Sequence, residues 1–253
     1  MTTPATGRSN WLRSFHPAPQ APVRLVCFPH AGGSASYYFP FSAALSPRVD
    51  TVSVQYPGRQ DRRNEPLVGD LGQLADLIEA ELRASGDSRP VAFFGHSMGA
   101  TVAFEVARRM AERGTPGPVH LFASGRRAPS RIRADDVHLR GDTGLKEELH
   151  LLGGTAGGWL EDEDLLAMVL PVIRNDYRAA ELYRAEAGAT VSAPLTVLTG
   201  DSDPRTTAQE AAAWREHTTG AFALHTFPGG HFFLERHQAE ITALVAGTLA
   251  EDG

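Results

Sequence analysis

Pro90-Val91-Ala92-Phe93-Phe94-Gly95-His96-Ser97-Met98-Gly99-Ala100-Thr101-Val102-Ala103-Phe104 joins two apolar runs through a glycine-flanked serine. The order reads as strand, sharp turn, helix. Such a turn forces its serine into a strained backbone conformation, so the flanking side chains must be small, as Gly95 and Gly99 are. The hydroxyl of Ser97 then stands clear of the sheet at the N-terminus of the helix. The backbone N–H of Met98 is left free to hold developing negative charge.

Outward from this turn, apolar β-branched runs alternate with helical patterns. Strands are predicted at Val23–Phe28, Thr51–Tyr56, Val91–Phe94, His120–Ala123, Leu195–Thr199 and Phe222–Phe227. Helices are predicted at Leu71–Ala84, Met98–Glu112, Ala208–His217 and Glu235–Leu249. Strands separated by helices imply a mostly parallel central sheet covered on both faces. With a Gly-x-Ser-x-Gly turn between strand and helix, the expected class is the α/β-hydrolase fold. From 128 to 189 the strand pattern stops, and Leu145–Leu152, Asp162–Leu170 and Val172–Tyr183 read as helices. This all-helical insertion is expected to act as a lid, with Gly153 to Gly158 as its hinge or loop. The expected organisation is a flexible leader over 1–22 and a single domain over 23–253.

Composition narrows the class. A hydrophobic fraction of 42% and a charged fraction of 21% are those of a water-soluble globular protein. No run is long enough to span a bilayer, and the Pro- and Ser-rich N-terminus lacks the apolar stretch of a signal peptide. A cytoplasmic location without membrane attachment is expected. The net charge of −6 argues against nucleic acid as a partner. Cys27 is the single cysteine and lies in an apolar run, so a buried structural role is expected and an intrachain disulfide is excluded. Lys146 is the single lysine, which excludes a catalytic lysine elsewhere.

An activated serine needs a base, and the base needs an orienting carboxylate. In α/β-hydrolases the order along the chain is serine, acid, histidine, on loops that follow late strands. Leu195–Thr199 runs into Gly200-Asp201-Ser202-Asp203-Pro204, and Phe222–Phe227 into Pro228-Gly229-Gly230-His231. Both loops are expected at the same sheet edge, beside Ser97. His231 is the candidate base; His225 and His237 lie inside predicted elements, His16 in the leader, and His96 in the turn itself. Asp201 and Asp203 both lie within reach of the imidazole, and Asp201 has the alternative of holding turn amides. After the first strand, Phe28-Pro29-His30-Ala31-Gly32-Gly33-Ser34 is small enough for close backbone approach, and the Ala31 N–H is the candidate second oxyanion donor.

Six motifs in order carry a resemblance. Phe28-Pro29-His30-Ala31-Gly32-Gly33, Tyr56-Pro57-Gly58-Arg59, Gly95-His96-Ser97-Met98-Gly99, Ser124-Gly125-Arg126-Arg127-Ala128-Pro129, Gly200-Asp201-Ser202-Asp203 and Gly230-His231-Phe232 resemble those of type II thioesterases. These are stand-alone partners of polyketide synthases and nonribosomal peptide synthetases. The resemblance implies a triad of Ser97, Asp203 and His231, with Ala31 and Met98 as oxyanion donors. It also implies a thioester substrate: stalled acyl groups on the phosphopantetheine arm of an acyl or peptidyl carrier protein. No cofactor or metal is expected, and a monomer is the default. Other readings of the same triad are a small-molecule carboxylesterase or lipase, and a product-releasing thioesterase or acyltransferase. A binding protein that has lost catalysis is a further reading, disfavoured by the intact triad. Two arginine clusters are the candidate carrier-docking surface: Arg59, Arg62 and Arg63, and then Arg126, Arg127, Arg131 and Arg133.

Overall fold

A computed structural model describes residues 9–153 and 162–251. Seven strands form one sheet: β1 (Leu12–Arg13), β2 (Arg24–Phe28), β3 (Asp50–Val54), β4 (Val91–His96), β5 (His120–Ser124), β6 (Leu195–Gly200) and β7 (Phe222–Phe227). Their order is β1-β3-β2-β4-β5-β6-β7, parallel throughout except for β1, which pairs antiparallel with β3. Six of the seven are the strands predicted from sequence, with ends shifted by at most two residues.

The strands read as continuous apolar runs because the sheet is buried on both faces. Alternate residues serve alternate cores. Val26, Phe28 and Phe93 face one core with Leu74, Ile78, Phe104 and Trp214. Leu25, Cys27 and Phe94 face the other with Phe41, Leu45, Ile241 and Val245. The first face is covered by α2 (Leu71–Ala84), α3 (Met98–Glu112) and α6 (Ala208–Ala212). The second is covered by α1 (Phe39–Leu45), α7 (Phe233–Arg236) and α8 (Gln238–Glu251). Cys27 is fully buried, and burial pushes its thiol pKa well up.

Among the described residues the helical stretch holds a 3-10 turn at Val137–Leu139, then α4 (Asp142–Leu152) and α5 (Glu163–Leu182). It has a small core of its own in Val137, Leu145, Leu166, Leu170 and Ile173. Two helices were predicted where α5 is one, continuous through Pro171. Proline removes one backbone donor and crowds the preceding turn, but the apolar stripe carries on across it. Of the expected glycine hinge, Gly153 ends α4 at φ 75°, and Gly154 to Gly158 lie outside the described residues.

The expected flexible leader is corrected at residues 9–22. Leu12 and Arg13 pair with Val54 and Ser53, and Trp11 sits 4.1 Å from the Arg62 guanidinium. Ala18 and Ala21 are buried, and the Ala18 N–H donates to Asp50. A two-residue strand is too short to leave an alternation in the sequence. No helix among the described residues is long and apolar enough to cross a membrane.

Candidate active site

Ser97 occupies φ 54°, ψ −121°, a conformation that costs about 1–3 kcal/mol and persists only when its surroundings enforce it. The enforcement is visible. Ser97 N–H donates to the Ser124 carbonyl on β5 (2.8 Å), and Ala100 N–H to the Ser97 carbonyl (3.0 Å). A Cβ on Gly95 would lie 2.2 Å from the Gly99 carbonyl oxygen, and one on Gly99 would lie 2.0 Å from that of Phe28. Both obstacles are backbone. Gly99→Ala is therefore expected to lower stability by about 3 kcal/mol or more, seen as a Tm drop of roughly 6–12 °C in a chain of this size. A Tm within about 2 °C of the parent would remove the argument that backbone crowding selects this glycine.

The loops after β6 and β7 meet beside Ser97. His231 Nε2 lies 2.9 Å from Ser97 Oγ, and its Nδ1 lies 2.9 Å from Asp203 Oδ2. Asp203 Oδ1 accepts the Arg205 N–H (2.8 Å), and both Asp203 and His231 are buried. With the Nδ1 proton donated to Asp203, Nε2 is left to accept the Ser97 hydroxyl. Asp201 points elsewhere: its exposed carboxylate accepts the Gly229 N–H (2.9 Å) and the Ser202 hydroxyl. The Gly229 amide, first among these donors, holds the Asp201 carboxyl below its usual pKa. Asp201 thus ties the two loops together from outside.

Two further rings flank His231. His96 hydrogen-bonds Ser124 Oγ through Nδ1 (3.0 Å), and its ring lies 5.1 Å from that of His231. His30 packs edge-on against Phe232, 5.0 Å between centroids. Burial, and then the nearby His231, push the His96 pKa well down and that of His30 down to about 3. Both rings are neutral at ordinary pH and put no positive charge beside His231.

Met98 is the first residue of α3, so its N–H has no helical carbonyl to bond. The Ala31 N–H has no hydrogen-bond partner among the described residues. Both residues, with Ser97 and His231, line a cavity of about 270 Å³. Leu149 and Leu152 of α4 and Leu165, Val169 and Ile173 of α5 form its apolar wall. Arg126, Tyr177 and Glu181 bring polar groups to the lining.

The proposed arginine surface is largely corrected. Arg59 is buried and bonded to Asp176 of α5 by both terminal nitrogens (2.7 and 3.0 Å). Arg62 is buried between Trp11, the Gln55 carbonyl and Glu65. Arg127 is buried against Asp135 (2.5 Å). Arg126 lines the cavity, donating to Thr101 Oγ1 and the Ala180 carbonyl, and burial lowers its pKa to about 10. Arg63 is exposed, and Arg131 and Arg133 reach the surface paired with Glu216 and Glu210. Sequence spacing signals charge but not burial, and an arginine inside a loop motif is as readily a strut as a surface contact.

A mostly parallel sheet flanked by helices, with a strained serine at the β4–α3 turn, defines an α/β-hydrolase fold. The thioesterase-domain family model matches residues 23–248, and the chain belongs to the thioesterase family. A probable cadicidin biosynthesis thioesterase of Streptomyces griseus is 53% identical over 252 residues, covering 100% of this chain and 69% of that protein. The solved type II thioesterase BorB of the borrelidin biosynthetic cluster is 51% identical, with TM-score 0.86, covering 94% of this chain and 96% of that one. YbtT, a type II thioesterase from the yersiniabactin NRPS/PKS pathway, is 29% identical, with TM-score 0.84, covering 96% and 99%.

Proposed function

We propose that this protein is an editing thioesterase. It hydrolyses stalled acyl groups from the phosphopantetheine arm of acyl or peptidyl carrier proteins in polyketide or nonribosomal peptide biosynthesis. The observation that carries the reading is the hydrogen-bonded row Ser97–His231–Asp203, whose serine and histidine line a cavity with an apolar wall. Ser97 Oγ attacks the thioester carbonyl as His231 Nε2 takes its proton. The Ala31 and Met98 amides hold the oxyanion. Collapse expels the pantetheine sulfur, which leaves with the proton from His231. His231 then deprotonates a water that attacks the acyl-enzyme. Collapse frees the carboxylic acid, and the proton returns to Ser97. Asp203 holds the imidazole in the required tautomer and stabilises its charged form.

In this reading α4 and α5 are the lid, because they supply the apolar wall against which an acyl chain packs. Arg63 and Arg131, the latter 41% exposed beside the 62% exposed Ile132, are the members of the arginine set available to meet a carrier.

The test is a panel of acyl groups on phosphopantetheinylated carrier protein, run beside matched oxygen esters. Broad thioester release with a higher kcat/KM than for the oxygen esters supports the proposal. Preference for oxygen esters moves the protein to the carboxylesterases. Release confined to one acyl group, or transfer to a nucleophile other than water, makes it a product-releasing enzyme.

A further inference from the structure

The loop after β2 carries the Ala31 amide, yet among the described residues its backbone pairs with backbone at only two places, Gly33 N–H to the His30 carbonyl (2.9 Å) and, at its end, Tyr37 N–H to the Ser34 carbonyl (3.1 Å). Side chains from elsewhere hold the rest. Tyr38 donates to the Phe28 carbonyl (3.0 Å) and Tyr56 to that of Pro29 (3.1 Å). Arg59 donates to the Gly33 carbonyl (3.2 Å), and Asp176 Oδ2 accepts the Gly32 N–H (2.8 Å). Arg59 and Asp176 are locked together by the two bonds described above. The Arg59 guanidinium also lies 5.0 Å over the Tyr56 ring. Asp176 comes from α5, and α5 is seated directly on the loop: a Cβ on Gly32, at φ +74°, would lie 2.6 Å from Ile173 Cγ1.

Net stability is a weak reason for such a pair. A buried ion pair can often be replaced by apolar side chains of similar volume without loss. What apolar packing cannot supply is direction. The carboxylate takes the Gly32 amide toward α5 and leaves the preceding amide, on Ala31, unpartnered at the cavity wall. Oxyanion donors act only when held within a few tenths of an ångström of the developing charge.

We infer that Asp176 and Arg59 are the positioning residues of the Ala31 oxyanion donor, so that α5 sets the competence of this loop. The inference rests on the reading of Ser97 as nucleophile and Ala31 as donor.

The test compares Asp176→Ala and Asp176→Asn with wild type on an acyl-pantetheine thioester. It also measures binding of a trifluoromethyl ketone analogue, whose Ser97 adduct places an oxyanion in the hole, and of the matching thioether, which forms none. Removing a whole donor costs about 10²–10³ in kcat, so a misplaced one is expected to cost roughly tenfold to a hundredfold. KM should stay within about twofold, since the ground-state carbonyl is held weakly. Ketone affinity should fall by the same factor as kcat/KM, with thioether affinity unchanged. Asp176→Asn keeps an acceptor for the Gly32 N–H and should fall between; it carries the test if Asp176→Ala does not fold. Equal loss of ketone and thioether affinity would overturn the inference, as would a kcat within about threefold of wild type in both variants. A wild-type enzyme that binds the ketone no better than the thioether would bring down the nucleophile reading itself, and the inference with it.

Discussion

Ser97→Ala is expected to lower kcat for an acyl-pantetheine thioester by about 10⁵–10⁶-fold. Without Oγ there is no acyl-enzyme, and His231 and Asp203 have no proton to move from a nucleophile. The cavity and the Ala31 and Met98 amides remain, so a residual rate above that in water of about 10³-fold is expected. KM should change little. The three side chains are hydrogen-bonded in a row at 2.9 Å on each side of the imidazole. Ser97→Ala combined with His231→Ala is therefore expected to be no slower than Ser97→Ala alone. Thiol release followed under single-turnover conditions checks both statements. A Ser97→Ala enzyme keeping more than about 1% of kcat would displace the serine from the chemistry.

Asp203→Asn is expected to lower kcat by about 10⁴-fold, and Asp201→Asn by less than about threefold. The contrast follows from what each carboxylate touches. At 203 an amide would offer its NH2 to His231 Nδ1 and favour the tautomer with the proton on Nε2. The imidazole would then face Ser97 with a donor where an acceptor is needed. The fold should survive, because the Arg205 N–H can still find the amide oxygen. At 201 the exposed side chain holds the Gly229 N–H, which an asparagine oxygen also accepts. Parallel kinetics on the two variants, with Tm measured for each, test the assignment. The opposite ranking would hand the orienting role to Asp201.

Much of this was legible in the chain. The run from Pro90 to Phe104 marks β4, the turn and α3, because a sheet buried on both faces leaves no polar interruptions to confuse the period. The loops ending in Asp203 and His231 follow strands whose apolar runs are equally plain, although choosing between Asp201 and Asp203 needed the resemblance. Less was legible where few residues carry the structure or where partners are remote. Leu12 and Arg13 form too short a strand to signal itself. Pro171 suggested a break that packing on both sides overrides. Arg59 read as surface charge because nothing within its own segment announces Asp176, 117 residues away. Asp176 sits among Asn175, Tyr177 and Arg178 and looks like any polar turn of an amphipathic helix.

Pro171 divides α5 into two unequal obligations. C-terminal to it, Ile173 and Asp176 bear on the loop that carries Ala31. N-terminal to it, Leu165 and Val169 line the cavity, as do Leu149 and Leu152 on α4, with Val169 and Leu149 also packed against the small core of the helical stretch. Altering the first group to suit a new acyl chain is expected to disturb the rate for every chain. The second lines the cavity without bonding that loop, so a change of side-chain size there is expected to act on acyl preference before it acts on turnover. Redesign of acyl preference therefore begins at those four leucine and valine positions. Lineages of this enzyme that diverged in the acyl groups they accept should differ most on that side of the proline.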